Sequence, residues 1–106
     1  MIRQPEFVTA EAFETAKAAL ARKKPRLDAS RARLENFTEG LCVQAMHIGP
    51  FDDEPRTNAA IMQFITDNGY AGDISGTRRH HEIYLNDPRK TAPEKLKTVI
   101  RHPIAL

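Results

Sequence analysis

The spacing of apolar and polar positions changes several times along this chain, and each change predicts an element. Residues 80–86 alternate with period two, so Ile83 and Leu85 share one face of a strand while Glu82 and Tyr84 share the other. Residues 41–48 read as a longer strand that is apolar on both faces. Leu41, Val43, Ala45 and His47 form one set, and Cys42, Gln44, Met46 and Ile48 form the other. A last strand starts at Leu96 or Lys97 and runs to His102, rich in Thr98, Val99 and Ile100. Two weaker strands are expected. One covers residues 2–4 and is cut off by Pro5. The other covers residues 33–37 and joins the strand at 41–48 as a hairpin through Thr38-Glu39-Gly40.

Between the strands the period lengthens to that of a helix. Thr9 is a good N-cap for a helix over residues 10–24, with Phe13, Ala16 and Leu20 on one stripe and Pro25 as its stop. After the break at Gly49-Pro50, Asp52 or Asp53 can cap a second helix with Pro55 in its first turn and Ile61, Phe64 and Ile65 on its apolar stripe. Asn68-Gly69 ends it, with Gly69 as the left-handed residue and Tyr70 packing back. Residues 71–77 hold two glycines and read as a loop, and Pro93-Glu94-Lys95 as a short helical turn. The predicted order is β-α-β-β-α-β-β. Alternation of helices with hairpins makes this an α+β fold, an antiparallel sheet with two helices on one face. The other face is then open.

Composition narrows the class. At 106 residues, 41% hydrophobic and 28% charged, the chain suits a single soluble domain with one modest core. No apolar run approaches the roughly 20 residues that cross a bilayer, and the first residues lack the apolar core of a signal peptide. Cys42, the single cysteine, reads as a buried free thiol, which fits a cytoplasmic protein. A net charge of +2 does not by itself imply nucleic acid. The basic runs at Arg22-Lys23-Lys24, Arg31 to Arg33 and Arg78-Arg79 lack interleaved aromatics, and read as solvated helix-end and loop charges.

Candidate chemistry centres on Glu82 and Tyr84. An acid and a phenol on the open face of the sheet offer charge pairing and stacking to a cationic, aromatic ligand. The bland alternative is a solvated acid beside a packing ring. Met46, flexible and polarizable, and Gln44 beside it would line the same groove if their set faces it. Adjacent His80 and His81 point to opposite faces and cannot chelate one metal, and His47 and His102 read as cross-strand partners or solvated tips. No metal or other cofactor is expected. Asp52-Asp53-Glu54 sits at a helix start, where the dipole accounts for it without a catalytic pair.

The segments Gly40-Leu41-Cys42-Val43-Gln44-Ala45-Met46-His47-Ile48-Gly49-Pro50-Phe51-Asp52-Asp53-Glu54-Pro55 and His81-Glu82-Ile83-Tyr84-Leu85-Asn86-Asp87-Pro88, with Ala92 to Thr98 after them, resemble the second half of GyrI-like small-molecule-binding proteins. Met1 to Thr9 resembles a mid-chain segment of the longer members. The resemblance implies the effector-binding fold of multidrug regulators, in which two strand-helix-strand-strand modules enclose a groove for apolar or cationic ligands. By match to the E-x-Y pattern, it implies that Glu82 is the groove acid, with Tyr84 beside it. Some members hydrolyse cyclopropane-bearing alkylating compounds, which would make Glu82 a base that activates water. The longer members carry a further half with tryptophans, and this chain has no Trp. Residues 1–106 are therefore expected to be one half-domain, either a stand-alone half that pairs with a second copy as a homodimer or a fragment of a longer chain. A protein-interaction module without a ligand is the remaining alternative.

Overall fold

The last strand organises the sheet. In the computed structural model, which describes residues 1–106, a helix α1 (Ala10–Lys23) precedes strand β1 (Cys42–Ile48), helix α2 (Glu54–Asp67), and strands β2 (Ala71–Gly72), β3 (His81–Tyr84) and β4 (Lys97–Ala105). β4 is central and every pairing is antiparallel. β1 lies along one edge, from Cys42 opposite Pro103 to Ile48 opposite Lys97. The other edge is shared in series. β3 pairs from His81 opposite Arg101 to Tyr84 opposite Thr98, and β2 pairs Ala71 with Ala105 and Gly72 with Ile104. The result is an open four-stranded antiparallel sheet with two helices, an α+β fold.

The chain forms two compact units, residues 1–37 and 38–106. In the first, α1 starts as expected, with Thr9 accepting from the Ala12 N–H at 3.1 Å. The expected strands at 2–4 and 33–37 do not form, and the hairpin drawn to residues 41–48 is replaced by the β1–β4 ladder. Neither segment has a partner ladder, and residues 33–37 alternate too weakly to bury an apolar face.

In the second unit, Ile61 and Ile65 of α2 pack on Ile100 and Ile104 of β4, with Val43, Ala45 and Tyr70 around them. Fully burying each isoleucine contributes about 1.5–3 kcal/mol. α2 ends in a Schellman motif. Gly69 takes φ +72°, its N–H reaches Thr66 O, and the Tyr70 N–H reaches Ile65 O. β4 runs through Pro103, further than expected. The proline oxygen accepts from the Asp73 N–H at 3.0 Å, and the missing donor faces the point where β3 has ended and β2 begins. β3 is shorter than expected because the Asn86 side chain takes the Lys97 N–H at 2.6 Å in place of a backbone partner.

Residues opposite one another in an antiparallel ladder share a face. Ala45, Ile100 and Glu82 therefore form one row, and His47, Thr98 and Tyr84 the next. Both rows lie on the face that α2 covers, because Ile100 belongs to the α2 core. Gln44, Arg101 and His81 form a row on the opposite face, as do Met46, Val99 and Ile83.

Candidate functional site

Glu82 and Tyr84 do not rise from the open face, as the two-helix arrangement led us to expect. Their register with Ile100 and Thr98 puts them on the helix-bearing face, at the β3 edge of the sheet. Gln44 and Met46 lie on the other face, so the four predicted ligand residues do not meet. The reason is parity: β1 turns His47, Ala45 and Val43 toward α2, and Gln44 and Met46 are the alternate positions.

The acid pair is built from both sides. His47 is fully buried and ties β1 to the start of α2. Its Nε2 lies 2.8 Å from the Pro50 carbonyl, which can only accept, so Nε2 donates and Nδ1 accepts the Thr57 hydroxyl at 2.7 Å. Gly49, at φ +132°, lets the chain turn there from β1 into a 3-10 turn, Phe51–Asp53. Asp53 holds the N-cap position of α2 but makes no side-chain capping bond. Glu54, the first residue of α2, is near enough to Glu82 for the two carboxyls to interact. It is the acidic residue of the first turn of α2, as the sequence implied, and it also feels the charge of Glu82.

On β3, the Tyr84 hydroxyl donates to Glu82 Oε2 at 2.7 Å, and His80 Nε2 lies 3.8 Å from Glu82 Oε1. The Tyr84 ring meets Phe51 edge to face, with centroids 5.6 Å apart. The His102 ring, on β4, lies 5.8 Å from His80. Burial, then the charge of Glu82 and a hydrogen bond with it, push the Glu54 carboxyl above its ordinary range. Donation to Glu82 likewise raises the Tyr84 phenol. Burial, helped by His80, lowers His102. A concavity of about 260 Å³, lined by Asp52, Asp53, Pro55 and Arg56, dents the same end of α2 but includes neither Glu82 nor Tyr84.

The opposite face is chemically different. Glu39 accepts from Arg101 Nη1 and binds His81 Nδ1, each at 2.6 Å, while Arg101 also grips Gln44. Burial raises the Glu39 carboxyl, but the His81 hydrogen bond and the Arg101 charge outweigh it and hold the group below its ordinary range. Arg78 is not a solvated loop charge. It pairs with Asp73 and donates to the Glu39, Leu41 and Ile104 carbonyls, stapling the chain before β1 to the end of β4. Cys42 is half-buried on this open face, not fully buried, with its thiol 3.8 Å from Glu39 O.

The sequence offered little to find Glu54, since a glutamate in a first helical turn is ordinary. Its proximity to Glu82 follows only from knowing that β3 pairs with β4 beside the start of α2.

No helix is long and apolar enough to cross a membrane, and no three His, Cys, Asp or Glu side chains are placed to hold a metal ion. Fold and site together define a small α+β module with an acid-lined sheet edge walled on one side by a helix, a type of surface suited to small organic molecules. The chain belongs to the GyrI-like small molecule binding domain family, which matches residues 3–105. It is similar to an uncharacterized conserved protein from Listeria innocua, at 51% identity and a TM-score of 0.93 over 97% of this chain and 50% of that one. Two further crystal structures, each described as that of a hydrolase from Listeria innocua, are 50% identical over 97% of this chain. Their TM-scores are 0.89 and 0.86, with 52% and 50% of their own lengths covered. The chain thus spans about half the length of these neighbours. No curated protein matches it.

Proposed function

We propose that this domain binds a small planar organic cation against Glu82 and Tyr84, in a groove on the helix-bearing face whose second wall comes from a second copy of the chain. One observation carries the reading: Glu82 and Glu54 lie together without a lysine or arginine partner, while Glu39 on the other face is paired with Arg101. The Glu82 side chain is 27% exposed, so its charge is partly desolvated yet reachable. Tyr84 is 58% exposed and offers a ring face for stacking. α2 walls one side of this edge, and pairing would supply the other. The unpaired Cys42 thiol suits a cytoplasmic setting.

Titration with planar cationic dyes tests the assignment. Glu82→Gln should weaken binding by about 1–3 kcal/mol, the worth of a hydrogen bond to a charged partner. Equal affinity for the parent and the variant removes Glu82 from the site. Sedimentation should show a dimer.

A second reading is favoured by the carboxyl pair and by the neighbours described as hydrolases. Glu82 would take a proton from water as the hydroxyl oxygen attacks a carbon of a strained electrophilic ring. The ring bond breaks, and the released position takes up a proton. Turnover of such a ring that disappears in Glu82→Ala supports hydrolysis. Reversible binding without product supports the first reading.

A further inference from the structure

The sheet ends in an unpaired strand edge on each side, β1 on one and β3 on the other. The phase of each ladder decides which backbone groups those edges offer. In an antiparallel pair, residues that exchange bonds across the ladder alternate with residues whose N–H and C=O aim away from it. The Leu85 N–H reaches Lys97 O at 3.0 Å, so Leu85, Ile83 and His81 turn toward β4. Glu82 and Tyr84 therefore aim their N–H and C=O groups outward from the sheet. On the other side the Gly49 N–H reaches Leu96 O at 2.9 Å, which turns Cys42, Gln44, Met46 and Ile48 outward. Neither strand carries a proline or a lysine, two devices that blunt such an edge against pairing.

We propose that two copies of the chain join β3 to β3, antiparallel about Ile83, so that the partner's Tyr84 lies directly across from Glu82 and completes its site. The inference rests on the reading that a second copy supplies the wall beside Glu82, and it says which edge does so. α2 packs on β1 and β4, so a copy joined at β1 would stand beyond the helix, two strands away from Glu82. The β3 edge is the one that brings a second wall to the acid.

Charge and bonding then select the register. Outward residues must meet outward residues. Glu82 opposite the partner's Glu82 sets like charges face to face, which is unfavourable. Tyr84 opposite the partner's Tyr84 matches Glu82 with Asn86, which lies outside β3 and whose side chain is committed to the Lys97 N–H. Glu82 opposite the partner's Tyr84 uses the outward groups of both residues in both copies and keeps the acids apart. On the helix-bearing face each Glu82 then stands between its own Tyr84, which donates to Oε2, and the partner's Tyr84. On the open face Ile83 meets the partner's Ile83, so the apolar row Met46, Val99, Ile83 continues across the seam. Leu85 meets the partner's His81. Ile83, Tyr84 and Leu85 are all exposed in the lone chain, and the pairing covers part of each.

Amide hydrogen exchange over a concentration series tests the seam in the unaltered chain. As dimer fills, the Glu82 and Tyr84 N–H groups should exchange about tenfold more slowly or less, while those of Cys42, Gln44, Met46 and Ile48 keep their rates. Slowing at the β1 residues instead overturns the inference and leaves a second copy standing. A chain that sediments as a monomer at every concentration overturns both. In a Cys42→Ser background, Ile83→Cys should oxidise to a covalent dimer. Directly opposed residues between bonded pairs have Cα atoms about 4.5 Å apart, which a disulfide spans. Ala45→Cys, at the middle of β1, should give no covalent dimer, and the reverse pattern overturns the seam. Sharing of the site is read with a planar cationic dye. Glu82→Gln and Tyr84→Ala should each weaken it alone. Refolded together, they should restore tight binding in about a quarter of the chains, because each mixed dimer rebuilds one site from the Glu82 of one copy and the Tyr84 of the other. No recovery on mixing, with the Ile83 cross-link formed, overturns the shared site. A cross-linked dimer that holds the dye equally with and without Glu82→Gln overturns the cation reading and leaves the seam intact.

Discussion

Ile100→Ala and Met46→Ala each remove three side-chain heavy atoms from the same ladder, but from opposite faces of the sheet. Ile100 is 0% exposed within the α2 core, and Met46 is 47% exposed on the open face. Removing three buried carbons forfeits about 2.4 kcal/mol of transfer energy, and incomplete collapse around the gap brings the loss to about 3–4 kcal/mol. For Met46 roughly half that transfer energy is at stake, and recovered side-chain freedom offsets part of it, leaving a cost below about 1 kcal/mol. Urea unfolding followed by circular dichroism measures both. With a slope of about 1 kcal/mol per molar for a domain this small, the two midpoints should separate by about 2 M or more. Midpoints within about 0.5 M of each other would contradict the assigned faces, since at that slope they imply nearly equal costs. Glu82, in register with Ile100, would then lose its place beside α2, and the acid pair would go with it.

Two further outcomes follow from single groups. Gly69→Ala places a side chain at φ +72° in the α2 terminus and should cost about 1 kcal/mol, lowering Tm by about 4–8 °C; an unchanged Tm refutes the Schellman assignment. Glu39 and Glu54 should give stability–pH profiles of opposite slope. Glu39, lowered by His81 and Arg101 against the effect of burial, contributes stability above the ordinary glutamate value of 4.5 that is lost as pH falls. Glu54, raised by burial and Glu82, makes a contribution that is complete below 4.5 and is lost as pH rises above it. Thermal melts across pH should show Glu39→Gln losing the acid-side decline and Glu54→Gln losing the decline toward neutral pH; parallel profiles in the two variants refute the assignment.

The elements with strong local signals were readable from the sequence alone. Thr9, Pro55, Gly69 and the run from Cys42 to Ile48 each announce their structure within a few residues, and the family resemblance follows from such segments. Pairing was not readable. The segment 33–37 stands next to β1 in the chain and invited a hairpin, but β4, some fifty residues away in sequence, supplies Ile100 opposite Ala45 and, with Ile104, the apolar positions that pack on α2. The faces of Glu82 and Tyr84 depend on that pairing, so period two grouped them correctly, but their expected place on the uncovered face was wrong. Arg78 was hidden for the same reason: the carbonyls it binds, at Glu39, Leu41 and Ile104, converge only once β1 and β4 are paired.

The position of Glu54 sharpens the functional argument. A helix N-terminus carries free N–H groups and partial positive charge, which favour an ionised carboxylate. If helix stabilisation were the whole role of Glu54, a solvated carboxylate with a depressed titration would suffice. Instead burial and a second acid drive its titration the other way, and one of its oxygens stays buried without a donor. The chain can neutralise a half-buried glutamate with a guanidinium, because it does so for Glu39 through Arg101. On the helix-bearing face it places a phenol and imidazoles around the acids instead. The two faces of one sheet thus treat glutamate oppositely, and that contrast, rather than either acid alone, favours the side beneath α2 for the cation of the proposed function.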